Sequence, residues 1–584
     1  MALGYSKNKS VQILIALLKA HGINQAIVSP GTTDLEFVAG LQFDKSFSIY
    51  SSVDERSAAY MACGLVGATK RPVVIACTEA TASRDYYPGI TEAFYRKLPV
   101  LAVTGVHRYC QIGQLHSQII NRDKSPRDTF VTKVQLPIIK DQEDEWETML
   151  LVNKAILDLV KPGGGPVHID LPSCNFDYDF TLQTLPAVRK IERFYSGDEF
   201  PILRNKKIAI YIGYNKDFSF EETEKIDDFC ASYDAVAFCD HTSGYYGKYA
   251  VYANLLSQQS IENDIYKDID VLIHLGEPAA DEATQGRLKG AKEVWRVSSD
   301  GELRDTFHKL TKVFEMEPYQ FFSRYSVNEM EKKDSYLNKC KEAIAQIDTS
   351  GLDIPFSNIY IAREISRKLP QNAEIHLGLS NTIRAWSMFD FPEGVRSTGN
   401  VGCRGIDGIL SEAVGASLAD RSKLCYCVLG DLSFFYDMNA LGNREIGNNL
   451  RVLIINNNGG SIFKQATAPG YIHFGDDITS EYIAASGHFG NGSKKLVKHY
   501  AEDLNFVYLS ASNKEEFVKV LPQFLDTSIS KSLVMEVFTA AEDERTAFSM
   551  MSKIRMSKRE KQVQIVKQIL GDDGVKFFKD LIKK

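Results

Sequence analysis

Short apolar runs closed by glycine, proline or serine, with helix-length stretches between them, recur along most of this 584-residue chain. In the first part they are QAIVSP (25–30), PVVIACT (72–78), LPVLAVTG (98–105) and GPVHIDLP (165–172). A run without polar alternation suits a strand covered on both faces, and such strands build parallel α/β sheets. The rhythm restarts with KIAIYIG (207–213), AVAFCD (235–240), DVLIHLG (270–276) and EVWRVSS (293–299), after which the chain reads as helical and charged. It restarts again with EIHLG (374–378), KLCYCVLGD (423–431), LRVLIINNNGG (450–460) and KSLVMEVF (531–538). One core cannot serve so long a chain, so the expectation is α/β with three doubly wound parallel-sheet domains, at 1–180, 200–345 and 355–545. Residues 176–206 and 347–358 break the rhythm and read as linkers.

The remainder, 546–584, is expected to be a basic helical tail. From Arg545 there are eleven Lys/Arg against four Asp/Glu, and KQVQIVKQIL (561–570) has helical spacing, which reads as an amphipathic surface helix. The N-terminus reads as a capped amphipathic helix ending at His21-Gly22, without a signal-type cleavage site. No segment approaches 18 uninterrupted apolar residues, so no membrane partner is expected and the compartment reads as cytoplasmic. With a net charge of −7, no basic field exists to hold nucleic acid. The ten cysteines are scattered without a CxxC pair and read as reduced and mostly buried.

The segment richest in chemistry is GDLSFFYDMNALGNREIGNNLRVLIINNNGGSIF, residues 430–463. A strand runs into Gly-Asp, a helix follows, and a second strand ends in Asn-Asn-Asn-Gly-Gly. In a doubly wound sheet both strand ends open into one crevice. The carboxylate of Asp431, the amide of Asn458 and a backbone carbonyl at Gly460 could then share a small hard cation. Ser380, Asn381 and Thr382 follow the strand EIHLG and open a helix, where hydroxyls and free N–H groups can hold anionic oxygens.

This constellation resembles the cofactor motif of thiamine diphosphate (ThDP) enzymes, which begins Gly-Asp-Gly and closes at Asn-Asn. Leu432 in the third position, followed by Ser433 and DMNAL, resembles the 2-succinyl-5-enolpyruvyl-6-hydroxy-3-cyclohexene-1-carboxylate (SEPHCHC) synthase branch of the menaquinone pathway. SPGTTDLE (29–36), the stretch from Asp54 to Ala93, SNTIR (380–384) and NVGCRGIDGILS (400–411) agree with that branch in order. The middle part resembles it more loosely, through GEPAADEATQGRL and VSSDGELRD.

The resemblance implies aminopyrimidine-binding, middle and diphosphate-binding domains, ThDP and Mg²⁺ as cofactors, and assembly into dimers or tetramers with active sites at the subunit interface. Glu55 would stand against N1′ of the aminopyrimidine, a task suited to a buried carboxyl with a raised pKa. Ile406 would wedge between the two cofactor rings, with Leu432, Ser433, Ser461 and Ile462 also against the cofactor. Gln114 and Gln118 would line the reacting centre. His116, between them, matches no family residue; it could relay protons or be structural. FAD is not expected, because the middle part carries no dinucleotide fingerprint.

Departures from the branch concentrate where substrate carboxylates would bind. Arg287 and Arg384 match two of its arginines. Its Ser-Pro-Gly-Ser-Arg reads here as a loop ending in Thr32 and Thr33, its Asn-Arg-Gly reads Asn400-Val401-Gly402, and the loop 105–113 is shorter, leaving His107 or Arg108 near a third arginine position. Arg404 would compensate in part. The expected activity is decarboxylation of a 2-oxo acid and transfer of the acyl carbanion equivalent to an acceptor, both small molecules. The alternatives are SEPHCHC synthase itself, a simple 2-oxo acid decarboxylase, and a non-catalytic ThDP-binding scaffold.

Overall fold

The computed structural model describes residues 4–173, 178–261, 263–326 and 333–555. The helix expected at 561–570 lies outside the described residues. The chain divides into two compact units, Met1–Asp198 with Asp300–Glu315, and Glu199–Ser299 with Met316–Lys584.

The first unit carries β1 (Gln25–Val28), β2 (Ser48–Ser51), β3 (Val73–Thr78), β4 (Val100–Val106), β5 (Thr132–Gln135) and β6 (Val167–Pro172). They form one parallel sheet in the order β2-β1-β3-β4-β6-β5. The unbroken apolar runs have a direct cause here. Val74 and Ala76 bury into a core on one face, with Leu101, Val103 and Ile169, while Val73, Ile75 and Cys77 bury into a second core on the other. A strand sandwiched in this way has no solvent face to write in polar residues.

The stretch 176–206, expected to be a linker, contains β7 (Glu192–Phe194), a three-residue strand too short to show a pattern. The second unit follows with β8 (Ile208–Ile212), β9 (Val236–Cys239), β10 (Ala250–Tyr252), β11 (Val271–Leu275) and β12 (Glu293–Ser298), parallel in the order β10-β9-β8-β11-β12. Asp300–Glu315 belongs to the first unit and holds β13 (Leu310–Glu315), parallel to β7, where the charged sequence reads as helix.

The remaining strands are β14 (Glu374–Leu377), β15 (Arg396–Thr398), β16 (Cys425–Gly430), β17 (Leu450–Asn456), β18 (Val507–Ala511) and β19 (Leu533–Phe538), in the order β15-β14-β16-β17-β19-β18. Again one strand feeds two cores, Tyr426 and Val428 to one side, Cys425, Cys427 and Leu429 to the other. The three-sheet α/β class expected from the sequence is the class observed.

The first helix, Lys9–Ala20, is capped by Asn8, whose side chain accepts from the Ser10 and Val11 amides. It is not amphipathic as expected: every residue from Ser10 to Leu18 is buried. The nine described cysteines are free, and only Cys110 and Cys403 among them are exposed. No helix among the described residues is long and apolar enough to cross a membrane.

Candidate active site

In the last sheet the chain leaves β14 toward β15 on one side and β16 toward β17 on the other. The C-terminal ends of β14 and β16 therefore flank a topological switch point, the place where open α/β sheets bind ligands. A cavity of about 380 Å³ opens there, lined by Ser380, Asn381 and Thr382 from the loop after β14 and by Asp431, Leu432 and Ser433 after β16. Gly459, Gly460, Ser461 and Ile462 after β17 close it, and Ile406, Arg384, Arg404 and Glu282 complete the wall.

Asp431 opens the helix Asp431–Asp437 and is 2% exposed. One of its carboxylate oxygens accepts from the Gly459 amide at 2.8 Å and from Asn491 Nδ2 at 3.1 Å. Burial pushes its pKa up, and these N–H donors only partly oppose that. Asn458, one residue before that amide, is exposed, has a left-handed backbone at φ 62°, and is not among the lining residues. Gly459 at φ 143° passes so close to the next loop that a Cβ would lie 2.6 Å from Ser486 Oγ, hence glycine. The Gly460 carbonyl accepts from the Phe463 amide at 3.0 Å.

Beside the carboxylate stands an amide–hydroxyl cluster. Asn381 Nδ2 and Asn457 Nδ2 both donate to Ser461 Oγ, at 2.8 and 3.0 Å, which leaves the Ser461 proton to donate elsewhere. The carbonyl oxygens of both amides are buried and unpartnered. A buried carboxylate met only by amide donors, with unpaired amide oxygens close by, fits a hard cation bridging to an anionic ligand. Ser433 Oγ donates to the Ile406 carbonyl and so ties that half-buried side chain to the Asp431 loop. Thr382 is 2% exposed, and its hydroxyl accepts from Asn358 Nδ2 at 3.2 Å, which leaves its proton to donate as well.

Of the arginines, Arg384 and Arg404 line the cavity and both meet Glu282. Arg384 Nη2 lies 3.5 Å from one carboxylate oxygen, and Arg404 binds the other while donating to the Ala279 carbonyl at 2.9 Å. Arg287 lies outside this lining; its guanidinium donates to the Ser257 and Gln259 carbonyls.

In the first unit, Glu55 opens the helix Glu55–Thr69, with Asp54 capping the Ser57 amide at 3.2 Å. Glu55 shares a recess with Ala80, Thr81, Arg84, Asp85 and Ile120. Carboxylate oxygens of Asp54, Glu55 and Asp85 lie within 4.8 Å of one another. Burial, with the charges of Asp85 and Asp54 adding to it, pushes the Glu55 pKa up. Gln114, His116 and Gln118 sit on an exposed turn-rich loop and are not among the residues lining that recess. Thr32 is exposed, whereas Thr33 is 5% exposed and donates its hydroxyl to the Gly105 carbonyl at 2.7 Å.

Three residues were not anticipated. Asn491 reaches Asp431 across 60 positions, which no local pattern signals. Glu282 reads in sequence as an ordinary first-turn acid behind Asp281, which does cap the Thr284 amide. Asp34 is 1% exposed with neither carboxylate oxygen partnered, and burial lifts its pKa to about 6.

Comparison with known proteins follows the same lines. Residues 8–125 match the family described as thiamine pyrophosphate enzyme, N-terminal TPP binding domain. The chain is 31% identical over 576 residues to the 2-succinyl-5-enolpyruvyl-6-hydroxy-3-cyclohexene-1-carboxylate synthase of Phocaeicola vulgatus, covering 93% of this chain and 97% of that one. The synthase of the same name from Bacteroides fragilis is 30% identical, with 92% and 97% covered, and that of Christiangramia forsetii 28%, with 92% and 96%.

Proposed function

The chain belongs to the thiamine diphosphate-dependent enzymes of the SEPHCHC synthase type, and from that membership we propose that it decarboxylates a 2-oxo acid and transfers the acyl carbanion equivalent to a small-molecule acceptor, through a carboxylate pocket altered from that of the synthases. The observation that supports this reading is a cavity walled by residues from Asp431 to Ile462 together with arginines that are already engaged by Glu282.

ThDP, when bound, supplies the electron sink for decarboxylation. The residues of this chain do the rest. Asp431, with Asn458 and the Gly460 carbonyl, would hold Mg²⁺; Ser461 and Asn381 would donate to diphosphate oxygens; Ile406 and Leu432 would set the apolar wall that keeps water out. Glu55, its pKa raised by burial and by two neighbouring carboxylates, would place a carboxyl whose protonated form is favoured against a basic ring nitrogen.

Carbon dioxide release from a panel of 2-oxo acids, followed by product analysis with acceptors including isochorismate, tests the proposal. Release with capture by an acceptor supports it. Efficient joining of 2-oxoglutarate to isochorismate would identify the synthase activity itself, aldehyde without any capture would identify a simple decarboxylase, and no release from any acid would leave a scaffold.

The site is proposed to form between subunits, with Glu55 of one chain and Asp431 of another serving one cofactor. Glu55→Gln and Asp431→Ala chains, mixed and re-annealed, are then expected to recover up to about a quarter of wild-type activity, because random pairing places both defects in one site and spares the other. No recovery, with subunit exchange confirmed by mass-tagged chains, would reject the shared site.

A further inference from the structure

Glu282 is the one acid in the cavity wall whose carboxylate bridges two cations. It lies at the first turn of the helix Glu282–Leu288, placed there by the Asp281 cap. Its two oxygens go to different guanidiniums, Arg404 on one and Arg384 on the other. Arg404 is further held by the Ala279 carbonyl, so its fork is committed on two sides. All three side chains are close to half exposed, 53% for Glu282, 49% for Arg384 and 46% for Arg404, so they face the open cavity and not a sealed core. The same three residues share that wall with Ile406, Asp431 and Ser461.

The chemistry of such an arrangement is that of a site whose carboxylate is built in. Arginine forks recognise carboxylates through paired N–H donors, and here a protein carboxylate takes one nitrogen of Arg404 and stands 3.5 Å from one nitrogen of Arg384. A substrate carrying a second carboxylate must either displace Glu282 or lie beside it at like charge. A substrate with an uncharged end meets neither cost. Arg404, first among the influences on Glu282, holds its carboxyl below the usual range, so the resident group is charged at neutral pH.

Resting on the proposed function, with its altered carboxylate pocket placed where these arginines adjoin the cofactor wall, we infer that Glu282 is a specificity-determining residue that engages Arg384 and Arg404 in place of a substrate carboxylate and restricts the donor to 2-oxo acids with an uncharged distal end.

The test separates binding from turnover. The full-length protein with ThDP and Mg²⁺ is titrated calorimetrically with glutarate and with pentanoate, acids of equal carbon number that differ by one carboxylate. In Glu282→Gln, which keeps size and removes charge, glutarate is expected to bind about tenfold more tightly than in the wild type, the effect of relieving one like-charge contact near a surface. Pentanoate is expected to be unmoved, and Glu282→Asp, which keeps the charge, to leave glutarate weak. Glutarate affinity unchanged in Glu282→Gln, or equal tightening of both acids, would overturn the inference. In parallel, the ratio of kcat/KM for 2-oxoglutarate over 2-oxopentanoate is expected to rise by a similar factor in Glu282→Gln. If glutarate tightens and neither 2-oxo acid releases carbon dioxide in any variant, the resident-carboxylate inference stands and the decarboxylase reading falls.

Discussion

Glu55→Gln is expected to lower turnover by ~10²–10⁴ while leaving the fold and the affinity for ThDP and Mg²⁺ close to wild type. The amide is the same size as the carboxyl and can take the same place at the start of the helix Glu55–Thr69. What it loses is the transferable proton. The surroundings of Glu55 are organised around that proton: partial burial disfavours the charged form, and Asp85 and Asp54 disfavour it further. The amide replaces a group whose charged form these surroundings disfavour, so no loss of folding stability is expected. Steady-state carbon dioxide release, with thermal unfolding of the same preparation, checks both halves. Near-normal turnover would mean that the cofactor is activated by another group.

Asp431 gives the second large effect, on binding and not on a rate. Asp431→Ala is expected to abolish Mg²⁺-dependent ThDP binding in calorimetric titration, because the diphosphate would then face the wall without its bridging cation. That variant also strands the Gly459 amide and Asn491 Nδ2, at a cost of about 1–3 kcal/mol for each buried donor left unpaired. Asp431→Asn separates the two consequences. Its amide oxygen can accept both bonds, and it removes a charge that burial already disfavours, so the apo protein is expected to unfold at or above the wild-type temperature. The increase in that temperature on adding ThDP and Mg²⁺ is expected to vanish. Wild-type ThDP affinity in either variant would place the cation elsewhere.

The strands of the sheets were legible because a strand with a core on each face must be apolar throughout, and runs such as PVVIACT and KLCYCVLGD have little else to become. The short edge strands Glu192–Phe194 and Ala250–Tyr252 were not legible. With few residues and one neighbour each, their conformation is set by the strand beside them. The charged strand Leu310–Glu315 was likewise misread as helix.

At the site, the residues within one strand–turn–helix step of the sheet edge, Asp431 and Ser433 after one strand and Ser380 to Thr382 after another, could be placed from sequence because topology brings those ends together. Asn491 and Glu282 could not, since each arrives from a distant loop and its neighbours describe only a cap or a turn. Arg287, which matches a substrate arginine by motif, donates through Nε and Nη2 to the Ser257 and Gln259 carbonyls.

Thr33 lies buried against a glycine that has no room for more. A Cβ at residue 105 would stand 2.3 Å from the Thr33 carbonyl oxygen, so the Thr33 turn and the strand Val100–Val106 lie backbone to backbone with the threonine hydroxyl as the pin. With the backbones this close and the hydroxyl bonded across them, the Thr33 turn is expected to move together with the strand Val100–Val106 and not independently of it.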